Sequence, residues 1–176
     1  MSYAFESELS TIMVTVQFCL DVGNDQCLVE DEIENRFNIF QPKLLENVSH
    51  SGAILISNSG QPILRVEDEL EYTVQHLCFT AVSKLMNHQT VVIPYFSYYG
   101  SLTLEPEFSD KPNFNIAISG DFVPTVLVAH QELLLNLYRC GHRFIKFLKL
   151  LRGDSYVDHI NLLESHAVIA QQALGY

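Results

Sequence analysis

Between Leu133 and Leu151 apolar side chains recur at spacings of three and four. Leu134, Leu137, Phe144, Phe147, Leu148 and Leu151 fall on one face. A run of that period and length predicts a helix buried along one side, not a strand. Burying six such side chains contributes on the order of 10 kcal/mol before entropy is subtracted, so the rest of the chain is expected to pack around this element. Arg139, Arg143 and Lys146 follow another line of the same helix and should reach solvent or pair with carboxylates.

Upstream the period changes. Ile12, Val14, Val16, Phe18 and Leu20 alternate with Thr15 and Gln17, which predicts a half-buried strand broken at Asp21–Asp25. Glu30 to Phe40 opens with carboxylates that favour a helix start, although Phe37, Ile39 and Phe40 also fit a short strand. Pro42 suits the first turn of a separate short helix reaching Val48. Residues 53–57 and 61–66 flank Asn58-Ser-Gly60 as a hairpin, with Pro62 at a strand start or on an edge. Leu70, Val74, Leu77, Ala81 and Leu85 predict a helix over 70–87, with Glu67, Asp68 and Glu69 at its acidic start. Strands follow at 90–96, 102–104, 114–119 and 122–128, with an exposed loop over 105–113. The long helix begins at His130 or Gln131 and stops at Gly153, and a last helix capped by Asp154 or Ser155 runs to about Leu174.

The central connections are too short for parallel crossovers. The fold class expected is therefore α+β: one domain over 1–176, with a mainly antiparallel sheet of about six or seven strands against three or four helices, the last two C-terminal. Residues 29–34 and 66–71 echo one another, VEDEIE against VEDELE. Six residues do not make a duplication. The plain reading is shared strand-to-helix chemistry; the sharper one is two acidic helix starts on one surface.

Charge adds the strongest functional constraint. The net charge is −11 over 176 residues. Residues 1–35 hold eight carboxylates and no Lys or Arg, and five of the ten basic residues lie between Arg139 and Arg152. Most of such a surface repels nucleic acid and draws in a basic partner. The start of the chain carries Glu6 and Glu8 where a signal peptide carries basic residues. The four basic residues inside 133–151 disfavour a membrane span there. Cys19, Cys27, Cys78 and Cys140 show no metal-ligand spacing, and a chain of this size needs no staples, so all four are expected as reduced thiols in a cytoplasmic protein.

Catalytic and cofactor motifs are missing from the sequence: there is no HExxH, GxSxG, P-loop or GxGxxG. Cys140 and His142 diverge on a helix, and His159 and His166 stand about 10 Å apart along theirs, too far for one ion. No cofactor or metal is expected. The remaining feature is the aromatic run from Tyr95 to Gly100. Tyr95 and Phe96 read as strand core, and Tyr98 and Tyr99 as exposed side chains that either pack locally or anchor a partner.

In size, acidity and lack of catalytic motifs, the whole chain resembles the bacterial immunity proteins, which neutralise a cognate toxin, often a nuclease. The resemblance implies a non-enzymatic toxin inhibitor acting by protein–protein interaction with a basic partner, and no site residue is carried over from the family. On the charge argument, the partner-binding residues expected are Glu30, Asp31, Glu32, Glu34, Glu67, Asp68, Glu69 and Glu71, standing in for substrate phosphates, with Tyr98 and Tyr99 as anchors. The alternatives are a small-molecule-binding or enzymatic domain with its pocket between sheet and helices, and a structural subunit. A convex acidic face favours the inhibitor; clustered, partly buried His and carboxylates around an open pocket favour the small-molecule domain.

Overall fold

The computed structural model describes residues 13–23, 26–46, 50–108 and 114–176. It is α+β, built on two four-stranded antiparallel sheets. The first runs β2 (Cys27–Val29), β1 (Val14–Asp21), β3 (Ser51–Asn58), β4 (Gln61–Glu69). The second is a meander of β5 (Val91–Pro94), β6 (Ser101–Glu107), β7 (Asn115–Gly120) and β8 (Val123–Ala129). Helix α1 (Glu30–Glu46) links β2 to β3. A continuous helix links the sheets: α2 (Leu70–Thr73), a π-helical stretch over Val74–Thr80, then α3 (Ala81–Met86). The long α4 (His130–Arg152), a 3₁₀ turn and α5 (Val157–Leu174) complete the described chain.

Eight strands in two sheets replace the single sheet of six or seven that the pattern predicts. The helix over 70–86 carries the chain away from the first sheet before the second begins. β4 then lies beside β8 without a hydrogen-bonded ladder. Strand β2 is only three residues long, and β6 continues through Glu105 and Glu107 because its carboxylates occupy the outward positions of an ordinary alternation.

Local chemistry explains most boundaries. Ser59 and Gly60 both take positive φ, 48° and 78°, which closes the β3–β4 hairpin as a type I′ turn. Pro62 lies on the edge strand of its sheet, where its missing donor costs nothing. Val16, Phe18, Ile54, Ile56, Leu64 and Val66 point inward, and β1 packs on α4, whose expected core face is buried throughout. One connected apolar cluster joins both sheets to the helices. Where the linking helix crosses α4, Gly141 admits the Phe79 ring: a Cβ there would stand 2.4 Å from Phe79 Cζ and 3.0 Å from Cys78 Cβ.

Three expectations are corrected. Residues 30–46 form one helix, and Pro42 sits inside it and not at the start of a second. Glu67, Asp68 and Glu69 end β4, and of the three only Glu69 enters the helix, as the cap of α2, so the two acidic runs are not equivalent. Cys19 and Cys27 are joined in a disulfide with Cα atoms 5.9 Å apart, because the β1–β2 register sets Cys19 opposite Val29 and Cys27 opposite Asp21 on one face. Cys78 and Cys140 are free and buried. No helix among the described residues is long and apolar enough to cross a membrane.

Candidate functional site

The outer face of the first sheet forms the floor of a groove. Gln17, Leu55 and Arg65 stand side by side in register; in the next row Cys19 and Ala53 are fully buried and Glu67 alone reaches the surface. The wall comes from the second sheet, whose β5–β6 and β7–β8 turns lean over β4. Two clefts result. One, of about 620 Å³, is mostly apolar, with Leu55 and Ile63 below and Tyr95, Phe122 and Pro124 beside it. The other, of about 550 Å³, carries Asp21, Glu67, Asp68 and Ser97. They meet at Arg65, Glu67 and Tyr98, which line both.

The wall is held in place by Asp68. The inward alternation of β4 buries its side chain to 7% exposure. Its two carboxylate oxygens accept the backbone N–H groups of Phe96 at 2.6 Å and Ser97 at 3.0 Å. The Tyr98 hydroxyl donates to the Glu67 carbonyl, and the Tyr95 hydroxyl to the Asp121 carbonyl at 2.8 Å. Tyr98 stacks on Tyr95 at 4.7 Å and meets Phe122 edge-on at 5.5 Å. Burial, then the negative charge of Asp68 and Glu67, raises the Tyr98 phenol; burial and Tyr98 push Tyr95 up to about 12. Both tyrosines are therefore neutral donors at physiological pH.

Phe122 is 79% exposed and has a φ of 69°, the left-handed region that a bulky residue seldom adopts. The ring packs on Tyr98 and Tyr95 and so extends the aromatic wall outward at that backbone cost.

The expected site residues do not form one surface. Glu30 is drawn into an ion pair with Arg143 of α4 and also accepts the Phe18 N–H at 3.3 Å. Asp31 accepts from Gln17 at 3.2 Å, and Glu32 is exposed. Glu34 belongs to α1, but its side chain lies outside the described residues. Glu67 is exposed and paired with Arg65. Tyr98 is in the wall, and Tyr99, beside it, is 97% exposed. The groove thus gathers Glu67, Asp68 and Tyr98 and leaves the α1 carboxylates elsewhere.

Glu69 and Glu71 belong to a second cluster. Glu69 caps α2, accepting the Tyr72 N–H at 2.7 Å. Glu71 is buried against His50, with Oε1 2.6 Å from Nδ1. The His50 Nε2 lies 3.3 Å from the Leu44 carbonyl. Burial pushes Glu69 up to about 8, helped by its hydrogen bond to Glu71 and by the charges of Glu71 and Asp68. Burial also acts to raise Glu71, but hydrogen bonds with His50 and Glu69 outweigh it and leave Glu71 below the usual carboxylate range. Of the two carboxyls, Glu69 is thus the one that takes up a proton more readily. Among the described residues, no group of three or more His, Cys, Asp or Glu is placed to hold a metal.

Sequence reasoning missed Asp21, Tyr95 and Phe122 as groove residues, and His50 altogether. Asp21 and Phe122 read as turn and strand-start residues, and only the juxtaposition of the two sheets brings them to adjoining clefts. The fold and site define an α+β protein with an aromatic-walled groove that is acidic at one end. No family model, curated protein or solved structure matches the chain.

Proposed function

We propose that this chain is a binding domain for a basic protein partner, and that a segment of the partner lies in the groove over the first sheet. The observation that carries the reading is the meeting of the two clefts at Tyr98 and Glu67. The apolar cleft takes an aliphatic or aromatic side chain between Leu55, Tyr98 and Phe122. The acidic cleft takes a Lys or Arg near Asp21 and Glu67. Large rings with few rotatable bonds make good anchors. The net charge of −11 speeds encounter with a basic molecule and disfavours nucleic acid.

The narrower form is an inhibitor: an immunity-type protein that occludes the active site of a basic toxin, nuclease-type among them. A nuclease cleft evolved for phosphates accepts carboxylates in the same place. Glu67 would then mimic the substrate, with Asp68 holding the wall behind it, and Tyr98 and Tyr99 would anchor the complex. The Cys19–Cys27 disulfide bears on location, since disulfides persist mainly in oxidising compartments. The expected reduced thiols therefore no longer support a cytoplasmic site.

Selection of displayed random peptides against the immobilised protein tests the reading. The expected winners pair a Lys or Arg with an apolar residue, and are lost to Tyr98→Ala and to Glu67→Lys. Winners without basic residues, or capture indifferent to both substitutions, would overturn it. The Glu69–Glu71–His50 cluster favours a second reading, a small-molecule site, which is developed next.

A further inference from the structure

We infer that the cavity between the start of α2 and the start of α5 binds a small organic cation: an alkylammonium or quaternary ammonium group. The inference is independent of the groove. Phe96 lines this cavity while Ser97 lines the acidic cleft, so the two sites lie on opposite sides of one stretch of backbone.

The cavity holds about 290 Å³, room for a compact head group and too little for a nucleotide. Rings form much of its wall. Tyr72 packs against Phe96 at 5.4 Å between centroids, and Tyr156 stacks on His159 at 4.3 Å. Leu162 and Leu163 close it with apolar surface. Phe96 lines it and is 66% exposed, an apolar ring that the fold itself leaves largely uncovered. The polar groups are the Glu69 and Glu71 carboxyls and the Gln75 amide; no Lys or Arg lines the cavity. The faces of Tyr156 are taken by His159 and Arg152, so the rings that offer a quadrupole to a cation are Tyr72 and Phe96, and a carboxylate at the same point adds direct charge. A neutral or anionic ligand gains neither.

The backbone beneath is also unusual. Gln75 lies in the seven-residue π-helical stretch, a widening of the helix found often at functional sites. Glu69 is fixed by the Tyr72 N–H, and Glu71 by the His50 side chain and N–H. Neither carboxyl needs to reorganise to receive a cation, which lowers the cost of binding.

Binding is linked to a proton. Several groups face Glu69: Asp68 on its own strand, Glu71 and Tyr72 on α2, and Tyr156 from the 3₁₀ turn before α5. His50 stands behind Glu71, Arg152 lies over the Tyr156 ring, and His159 is on α5. A cation placed among them displaces the proton that Glu69 otherwise keeps. The affinity for a permanently charged ligand therefore rises with pH until Glu69 is ionised in the free protein, and is flat above.

The test is a titration of the full chain with tetramethylammonium chloride, followed by amide chemical shifts, with sodium chloride and tert-butanol as controls. Shifts are expected around Tyr72, Gln75, Phe96 and Tyr156, with an affinity that strengthens about fivefold in all between about pH 6 and pH 8. Glu69→Gln keeps an oxygen for the Tyr72 N–H; it should weaken binding at high pH by about tenfold and abolish the slope. Phe96→Leu, a surface change, should weaken binding at every pH while keeping the slope. Absence of saturable shifts, equal binding of tert-butanol, or an unchanged slope in Glu69→Gln would each overturn the inference. Peptide capture by the groove survives that outcome, so the two failures are distinguishable.

Discussion

Asp68 gives the sharpest handle on the groove. It binds no partner directly in this account, yet it holds the wall that a partner meets. Its two hydrogen bonds to Phe96 and Ser97 are charge-assisted, each worth about 1.5–3 kcal/mol. Two effects reduce the sum in Asp68→Ala. Phe96 and Ser97 are exposed, so their freed N–H groups recover water, and the cost of burying a carboxylate disappears. The net loss should be about 2 kcal/mol, and about half that for Asp68→Asn, which keeps one acceptor. The loss is local. Hydrogen exchange by mass spectrometry should show the amides of Phe96 and Ser97 exchanging about 30-fold faster in the alanine variant, since that factor corresponds to 2 kcal/mol of local opening. Amides of α4 should change little. Capture of basic peptides should fall with the same variant even though no peptide-contacting ring has been removed. Unchanged exchange at Phe96 and Ser97 would refute the claim that Asp68 sets the wall; a uniform increase across α4 would mean that it supports the whole fold instead.

Other perturbations probe the frame. Gly141→Ala puts a methyl 2.4 Å from the Phe79 ring where two buried helices cross, and should cost about 1–3 kcal/mol in chemical denaturation; a neutral result would mean that the crossing yields easily. Replacing Cys19 and Cys27 together by Ser should cost about 2.5 kcal/mol by loop entropy, matched in the natural chain by adding reductant; equal midpoints with and without reductant would show that the bond contributes nothing to stability. Glu69 binds its proton more tightly folded than unfolded, so its contribution to stability is lost as pH rises from the ordinary carboxylate range to about 8. Because Glu69 is half exposed, the effect is discounted to about 1 kcal/mol, and thermal melts should show Glu69→Gln gaining on the natural chain across that window. A difference in melting temperature that stays constant with pH would refute it.

The sequence was informative where one element carries its own period. The α4 core face, the β3–β4 hairpin and the α5 face are all legible from spacing, because each is dictated by local geometry. It was less informative where distant segments decide. Alternation along Glu67, Asp68 and Glu69 is visible in strand terms only when Val66 is counted with them; three consecutive carboxylates read more naturally as a helix start. Glu30 looked free because its partner Arg143 lies 113 residues away. Cys19 and Cys27 looked unrelated because a three-residue strand gives almost no pattern. The aromatic run at 95–100 was recognised, but its other half, Phe122, comes from a turn whose position depends on a second hairpin.

The groove itself can be mapped by titrating a selected basic peptide into isotope-labelled protein and following amide shifts. The account predicts that the largest changes trace Leu55, Arg65, Glu67, Ser97, Tyr98 and Val123 across the outer face of the first sheet, and that they diminish as salt is raised. Changes centred instead on the exposed carboxylates of α1, or on α4 and α5, would contradict it.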